Sequence, residues 1–302
     1  MSRSRVGKRV PHQPSLFKRS DPARPFLKWA GGKGQLLKEI RKYVPREFGT
    51  YFEPFVGAGA VLFDLQPPRA VINDANEELI NCYRVIKSNP EELIRLAAEH
   101  ERNDSKEYFY EQRLLDRSPG LSRLPAELRA ARIVYLNKAG FNGLFRVNKR
   151  GQLNVPYRHH EKTPQIVDPE VIRAVSRYLN EARVKIRRGD FREAVTGAAA
   201  DDFIYFDPPY HPVSDSASFT GYAAGGFGED EQKALKQLCD ALTERGCRVL
   251  LSNSATDFVR ELYDDESRYA VAEVQARRNI NSVGTRRGKV GELLIFNKYD
   301  VS

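Results

Sequence analysis

Two segments of this 302-residue chain put carboxylates and glycines where a folded sheet would open onto a ligand. In the first, the β-like run Thr50–Val56 leads through Glu53-Pro-Phe-Val-Gly-Ala-Gly59. Gly57 and Gly59 allow close approach of backbone to ligand at the carboxyl edge of a sheet. A second apolar run, 70–73, ends at Asp74, fifteen residues past Gly59. A carboxylate there can hydrogen-bond a ribose hydroxyl pair. The complete GxGxxG pattern is missing, which favours a nucleoside-containing cofactor other than a dinucleotide.

The second segment is Phe203-Ile-Tyr-Phe-Asp-Pro-Pro-Tyr210. An apolar strand delivers Asp207 to the sheet edge, and two prolines stiffen the chain just beyond it. The carbonyl preceding Pro209 belongs to Pro208 and has no ladder partner, so carboxylate and carbonyl together offer two acceptors to one NH2 group. Tyr210 adds an aromatic face for a base. This set suits an exocyclic amine such as N6 of adenine, whose lone pair is delocalised into the ring. Two acceptors on its hydrogens favour a pyramidal nitrogen with the lone pair turned toward a sulfonium methyl. Such chemistry is positioning and electrostatic preorganisation, and it requires no metal. The plainer alternative is that Asp-Pro-Pro-Tyr is only a stiff turn.

The elements that would position these residues alternate. Helical spacing is read in 32–44, 76–138, 168–179 and Glu229–Arg245, the last stopped by Gly246. Asn89-Pro90 marks a cap and the first position of a helix. Strand-like runs lie at 50–56, 70–73, 183–186, 202–206, 248–251 and 292–296. Strand–helix alternation predicts an α/β fold, a parallel Rossmann-like sheet with helices on both faces. The mostly helical, basic stretch 77–165 interrupts the alternation and reads as an inserted domain; 139–164 within it reads as loop and hairpin. The catalytic domain is then 25–76 with 166–302, preceded by a basic arm, 1–24, read as disordered.

Composition is that of a soluble globular protein, 41% hydrophobic and 29% charged. It shows neither a secretory signal nor an apolar run long enough to span a membrane, so a cytoplasmic location is expected. Cys82, Cys239 and Cys247 are scattered and read as small apolar residues, supporting neither disulfide nor zinc. Net charge is +9, of which residues 1–24 hold +6, leaving +3 for the body. Lys138–Lys162 has six Lys/Arg and two His against Glu161, and Arg277, Arg278, Arg286, Arg287 and Lys289 form a second basic stretch. Local basic stretches in a near-neutral body point to phosphate contact, although a solvated face would look similar.

Phe26-Leu-Lys-Trp-Ala-Gly-Gly-Lys33, Glu53–Gly59, Asp74, Gly189-Asp190-Phe191 and Asp207–Tyr210 resemble, in order, the motifs of the Dam-type DNA adenine methyltransferases (D12 class, alpha group). Asn142-Gly-Leu-Phe-Arg146, Asn154-Val-Pro156 and Ser218-Phe-Thr-Gly-Tyr222 are also similar to that family. The likeness runs from about Pro25 to Tyr299 and leaves out only the arm. The resemblance implies S-adenosylmethionine as methyl donor, with S-adenosylhomocysteine as product, and double-stranded DNA as substrate. It also implies no obligate protein partner, a monomer, and 77–165 as the target-recognition domain. Trp29, Lys33, Glu53, Gly57, Gly59, Asp74, Asp190, Phe191 and Asp207 would line the cofactor site. Asp207, Pro208 and Tyr210 would hold a flipped adenine. Lys28, Phe141, Asn142, Leu144, Arg146 and Pro156 would contact DNA, reading GATC, with Arg146 bidentate on guanine. Phe141 stands where the family often has Tyr, and a phenyl ring can still wedge into the vacated stack. Without the resemblance, Trp29 would read as core, Lys33 as a solvated charge and Asp190 as a helix cap.

Three other readings compete. Methylation of a different amine, cytosine N4 or a protein glutamine, is disfavoured by the motif order and the recognition loop. A catalytically silent DNA-binding homologue, or an unrelated nucleotide-binding protein, is disfavoured by the intact motifs.

Overall fold

The computed structural model describes residues 23–148, 150–158, 165–212, 227–277 and 289–300. The arm up to residue 22, Lys149, Lys162, Ser218–Tyr222, Arg278, Arg286 and Arg287 lie outside the described residues.

In chain order the elements are α1 (Leu37–Ile40), set between 3-10 turns, β1 (Tyr51–Glu53), α2 (Ala60–Leu65), β2 (Ala70–Asp74), α3 (Glu77–Ser88), α4 (Pro90–Arg102), α5 (Lys106–Leu114), α6 (Ala126–Ala139), α7 (Pro169–Glu181), β3 (Lys185–Arg188), α8 (Phe191–Ala194), β4 (Phe203–Phe206), α9 (Glu229–Glu244), β5 (Arg248–Ser254), α10 (Asp257–Leu262), β6 (Tyr269–Arg277) and β7 (Lys289–Asn297). Local chemistry sets many of the boundaries. Asn76, Ser105, Asp168 and Thr256 each cap a helix by accepting a backbone N–H two or three residues into it. Pro90 and Pro169 occupy first-turn positions where no N–H is needed. Gly246, at φ +79°, turns the chain out of α9.

The seven strands form one sheet in the order β3-β2-β1-β4-β5-β7-β6. β3, β2, β1, β4 and β5 are parallel, as the alternation predicts. The far side corrects that expectation: β7 runs antiparallel to both β5 and β6. An uninterrupted βα alternation would have continued the parallel order. β6 carries no clear strand signal, because its alanines, Glu273 and Gln275 dilute the apolar pattern.

Neighbouring residues on each strand face opposite sides, so the sheet has two cores. Tyr51, Ile72, Phe203, Tyr205, Leu250 and Leu294 pack with helices α2, α3, α4, α6 and α7. Phe52, Val71, Ile204, Phe206, Leu251 and Ile295 pack with α8, α9 and α10. β4 is buried at all four positions, as a strand covered on both faces must be. The first core is continuous from the sheet through α3, α4 and α6 to Phe145 and Leu153 of the loop that follows α6. That loop returns on itself through bridges pairing Gly140 with Tyr157 and Val147 with Leu153.

Candidate active site

The chain moves outward from β1 in both directions, β2 and β3 on one side, β4 and β5 on the other. Strand order reverses between β1 and β4, and in such sheets the crevice for ligands opens there, at the carboxyl ends. Glu53 ends β1, Asp207 follows β4 and Asp74 ends β2, so the topology collects three carboxylates at this edge.

Asp207 is mostly buried and pairs with Lys33, Nζ to Oδ1 2.7 Å, the Lys33 side chain being only 5% exposed. The same ammonium donates to the Gly31 carbonyl at 2.7 Å and lies 4.7 Å from the centre of the Tyr210 ring. Lys33 is therefore not a solvated charge. Burial pushes the Asp207 carboxyl up to about 6, and Lys33 opposes the rise. Pro208 is buried, and among the described residues no donor reaches its carbonyl oxygen. The Tyr210 hydroxyl donates to Glu292 Oε2 at 2.7 Å. Burial, with Asp207 and Glu292 nearby, keeps that phenol protonated far above its usual range. Glu53 is enclosed, accepting from the Tyr51 hydroxyl at 2.9 Å. Its pKa is raised strongly, first by burial; the Tyr51 bond opposes this and Asp207 adds to it.

Beside this group, Gly57 and Gly59 have φ of +49° and +73°, a region costly for residues with a Cβ. A Cβ on Gly57 would meet Trp29 Cδ1 at 3.0 Å, so the indole lies against this turn. Asp74 accepts from the amides of Gly57, 3.1 Å, and Asn76, 2.9 Å, one on each oxygen. The Ala75 amide lies close as well, and burial still raises the Asp74 carboxyl. Asp190 caps α8 through the Arg192 amide and is partly exposed. Phe191 is buried, stacked on Phe55 at 5.3 Å. Buried Asn73 joins these pieces by donating to the carbonyls of Pro54 and Gly189.

Trp29 stacks on Phe145, centroids 4.8 Å apart, which ties the glycine-rich edge to the loop after α6. Asn137, buried in α6, fixes the junction. It accepts from the Lys28 amide and donates to the carbonyls of Lys28 and Gly143. Lys28, Phe141, Asn142, Arg146 and Pro156 are exposed and Leu144 is half-buried. The Phe141 ring, 49% exposed, sits beside Asn142 in the left-handed region (φ +57°). The Phe141 amide bonds the Pro156 carbonyl, and the Lys28 side chain lies against Gly143, so Phe141, Pro156 and Lys28 gather around this turn.

Four polar residues at the site escaped the sequence reading. Gln232, fully buried in α9, donates to the Pro209 carbonyl at 3.0 Å and accepts from Asn253 at 2.9 Å. Asn253 also accepts from the His211 amide, and Ser254 donates to the His211 carbonyl. Both flanks of Tyr210 are thereby fixed, with Glu292 holding its hydroxyl. Gln232, Asn253, Ser254 and Glu292 are single polar residues in otherwise ordinary elements, without a local motif to mark them.

Comparison with known proteins identifies the family. The family model of D12 class N6 adenine-specific DNA methyltransferases matches residues 29–280. Type II methyltransferase M1.LlaDCHI of Lactococcus lactis subsp. cremoris is 45% identical over 274 residues, 91% of this chain and 95% of that protein. Type II methyltransferase M.MjaIII of Methanocaldococcus jannaschii is 39% identical, covering 91% and 99%. The DNA adenine methylase of Escherichia coli K12 is 36% identical, covering 91% and 95%. With a family match over most of its length and relatives this similar end to end, the chain belongs to the D12 class of N6 adenine-specific DNA methyltransferases.

Proposed function

We propose that this enzyme methylates N6 of an adenine flipped out of duplex DNA, within GATC, using S-adenosylmethionine. The observation that carries the reading is the set formed by Asp207, the open Pro208 carbonyl and Tyr210 beside buried Lys33.

The residues present fit the cofactor. The positive-φ turn at Gly57 lets the bare backbone lie against the Trp29 indole, and the Asp74 carboxylate beside it can accept from a ribose hydroxyl. Trp29, Lys33, Gly57, Gly59 and Asp74 would hold it, with Asp190 and Phe191 beside its adenine and Glu53 supporting from below. When bound, it supplies an electrophilic methyl on a sulfonium. Asp207 and the Pro208 carbonyl accept the two N6 hydrogens, which leaves the nitrogen lone pair facing the methyl donor. Lys33 favours the ionised carboxylate that this requires. The extruded base stacks on the Tyr210 ring, recovering part of the few kcal/mol that unstacking costs. Segment 77–165 serves target recognition. Phe141 fills the gap in the stack, Arg146 reads guanine, Leu144 and Pro156 contact neighbouring bases, Asn142 supports the turn, and Lys28 reaches the flank.

The test maps modified bases on plasmid DNA from a host without adenine methylation. N6-methyladenine in GATC is expected with the wild type and none with Asp207→Ala, which retains duplex binding. Modification at cytosine N4, or turnover by Asp207→Ala, would overturn the assignment. Adenine methylation in another sequence would remove only GATC.

A further inference from the structure

The geometry points to Asn154 as a specificity-determining residue that acts by aiming Arg146. This rests on the reading of Arg146 as the guanine reader. Arg146 Nε donates to Asn154 Oδ1 at 2.8 Å, and Nη2 donates to the Asn154 carbonyl at 3.2 Å. In return the Asn154 amide donates to the Arg146 carbonyl at 3.0 Å. Among the described residues Asn154 is the only partner of this guanidinium. A guanidinium has five N–H donors in a rigid fork. Asn154 occupies Nε–H and one Nη2–H, the pair along one edge. The remaining Nη2–H and the Nη1 protons stay free at the far end, where a bidentate contact to guanine O6 and N7 is made.

Asn154 can aim Arg146 because its own backbone is clamped from behind. The Leu153 amide donates to Asp116 Oδ2 at 2.6 Å, and Arg117 donates to the Leu153 carbonyl at 2.6 Å. On the other side Arg113 donates to the Val155 carbonyl at 2.9 Å. The Leu153 and Val155 side chains are buried, 6% and 4% exposed. An exposed arginine ordinarily gives up rotamer freedom when it meets its target, and that loss weakens recognition. Here the side chain is already held before DNA arrives.

The test compares wild type, Arg146→Ala, Asn154→Ala and the double variant on duplexes carrying the wild type's mapped site and each single-base replacement of it, with thermal melting as a folding control. Arg146→Ala is expected to relax one base position by roughly 10- to 100-fold. Asn154→Ala should relax the same position by at least about threefold, and the double variant should be no more relaxed than Arg146→Ala. Asn154→Asp keeps an acceptor oxygen for Nε and should retain discrimination, which also decides the matter if the alanine variant does not fold. An unchanged preference in Arg146→Ala would defeat the reading of Arg146 and this inference with it. A relaxed Arg146→Ala beside an Asn154→Ala that loses rate equally on every duplex would defeat this inference alone, as would lost discrimination in Asn154→Asp.

Discussion

Replacing Lys33 with Met removes a charge while keeping most of the side chain's length, so it tests what the Lys33–Asp207 pair does. With Lys33 at 2.7 Å, the Asp207 carboxyl is pushed up to about 6 by burial. An opposite charge this close ordinarily lowers a carboxyl by about 1–3 units, each unit being worth about 1.4 kcal/mol. Without it the Asp207 carboxyl should rise further. On the proposed reading Asp207 accepts an N6 hydrogen, and it does so most strongly when ionised. Methylation is therefore present above its pKa and lost as pH falls through it, near pH 6 in the wild type. In Lys33→Met the acid limb should move up by at least about one pH unit, with rate recovered under alkaline conditions. Single-turnover rates at saturating cofactor and duplex, measured across pH, separate this from weakened cofactor binding. An acid limb that stays within about 0.3 units of the wild type's, whatever the rate, would refute the electrostatic role.

Two other variants are expected to be informative. Gln232→Leu strands the buried Asn253 side-chain amide and removes the donor to the Pro209 carbonyl, which should cost about 1–3 kcal/mol of stability in denaturant titration. The same variant should lower the methylation rate more than it weakens cofactor binding, because the support for Tyr210 is loosened; an unchanged rate would make Gln232 purely structural. His100 stacks on Tyr135 and burial depresses its pKa from 6.5 to about 4, so the unfolded chain binds the extra proton first as pH falls. His100 should thus remove up to about 3 kcal/mol of stability between about pH 6.5 and 4, while the raised carboxyls of Asp207 and Glu53 act in the opposite direction, so its share is read as the acid-titration difference between the wild type and His100→Phe.

The motifs of the site were legible because each is local. An apolar run ending in Asp207, or a run turning at Gly57, advertises a strand and its open edge within a few residues. The parallel half of the sheet was legible for the same reason, since alternating strands and helices admit few arrangements. The reversal at β7 was not, because strand direction depends on pairing with β5, some forty residues earlier in the chain. Asn73, Asn137, Gln232 and Asn253 were invisible for a related reason. A buried amide is informative only once the groups it bonds are known, and most of those lie far away in the chain. Asp190 shows the limit of either-or reading: it is a helix cap, and that does not remove it from the edge where a cofactor would lie.

The reversed strand has a bearing on how the enzyme matures. β7 lies between β5 and β6 and carries Glu292, the partner of Tyr210, opposite Ser254. On the ribosome, the five parallel strands are all synthesised before β7 emerges, and until then β5 offers a bare backbone edge among Val249, Leu250 and Leu251. Such an edge invites pairing with another chain. Insertion of this late strand closes that edge and supplies the acceptor for the tyrosine's hydroxyl in one event, so a prematurely stopped chain would be both sticky and inert.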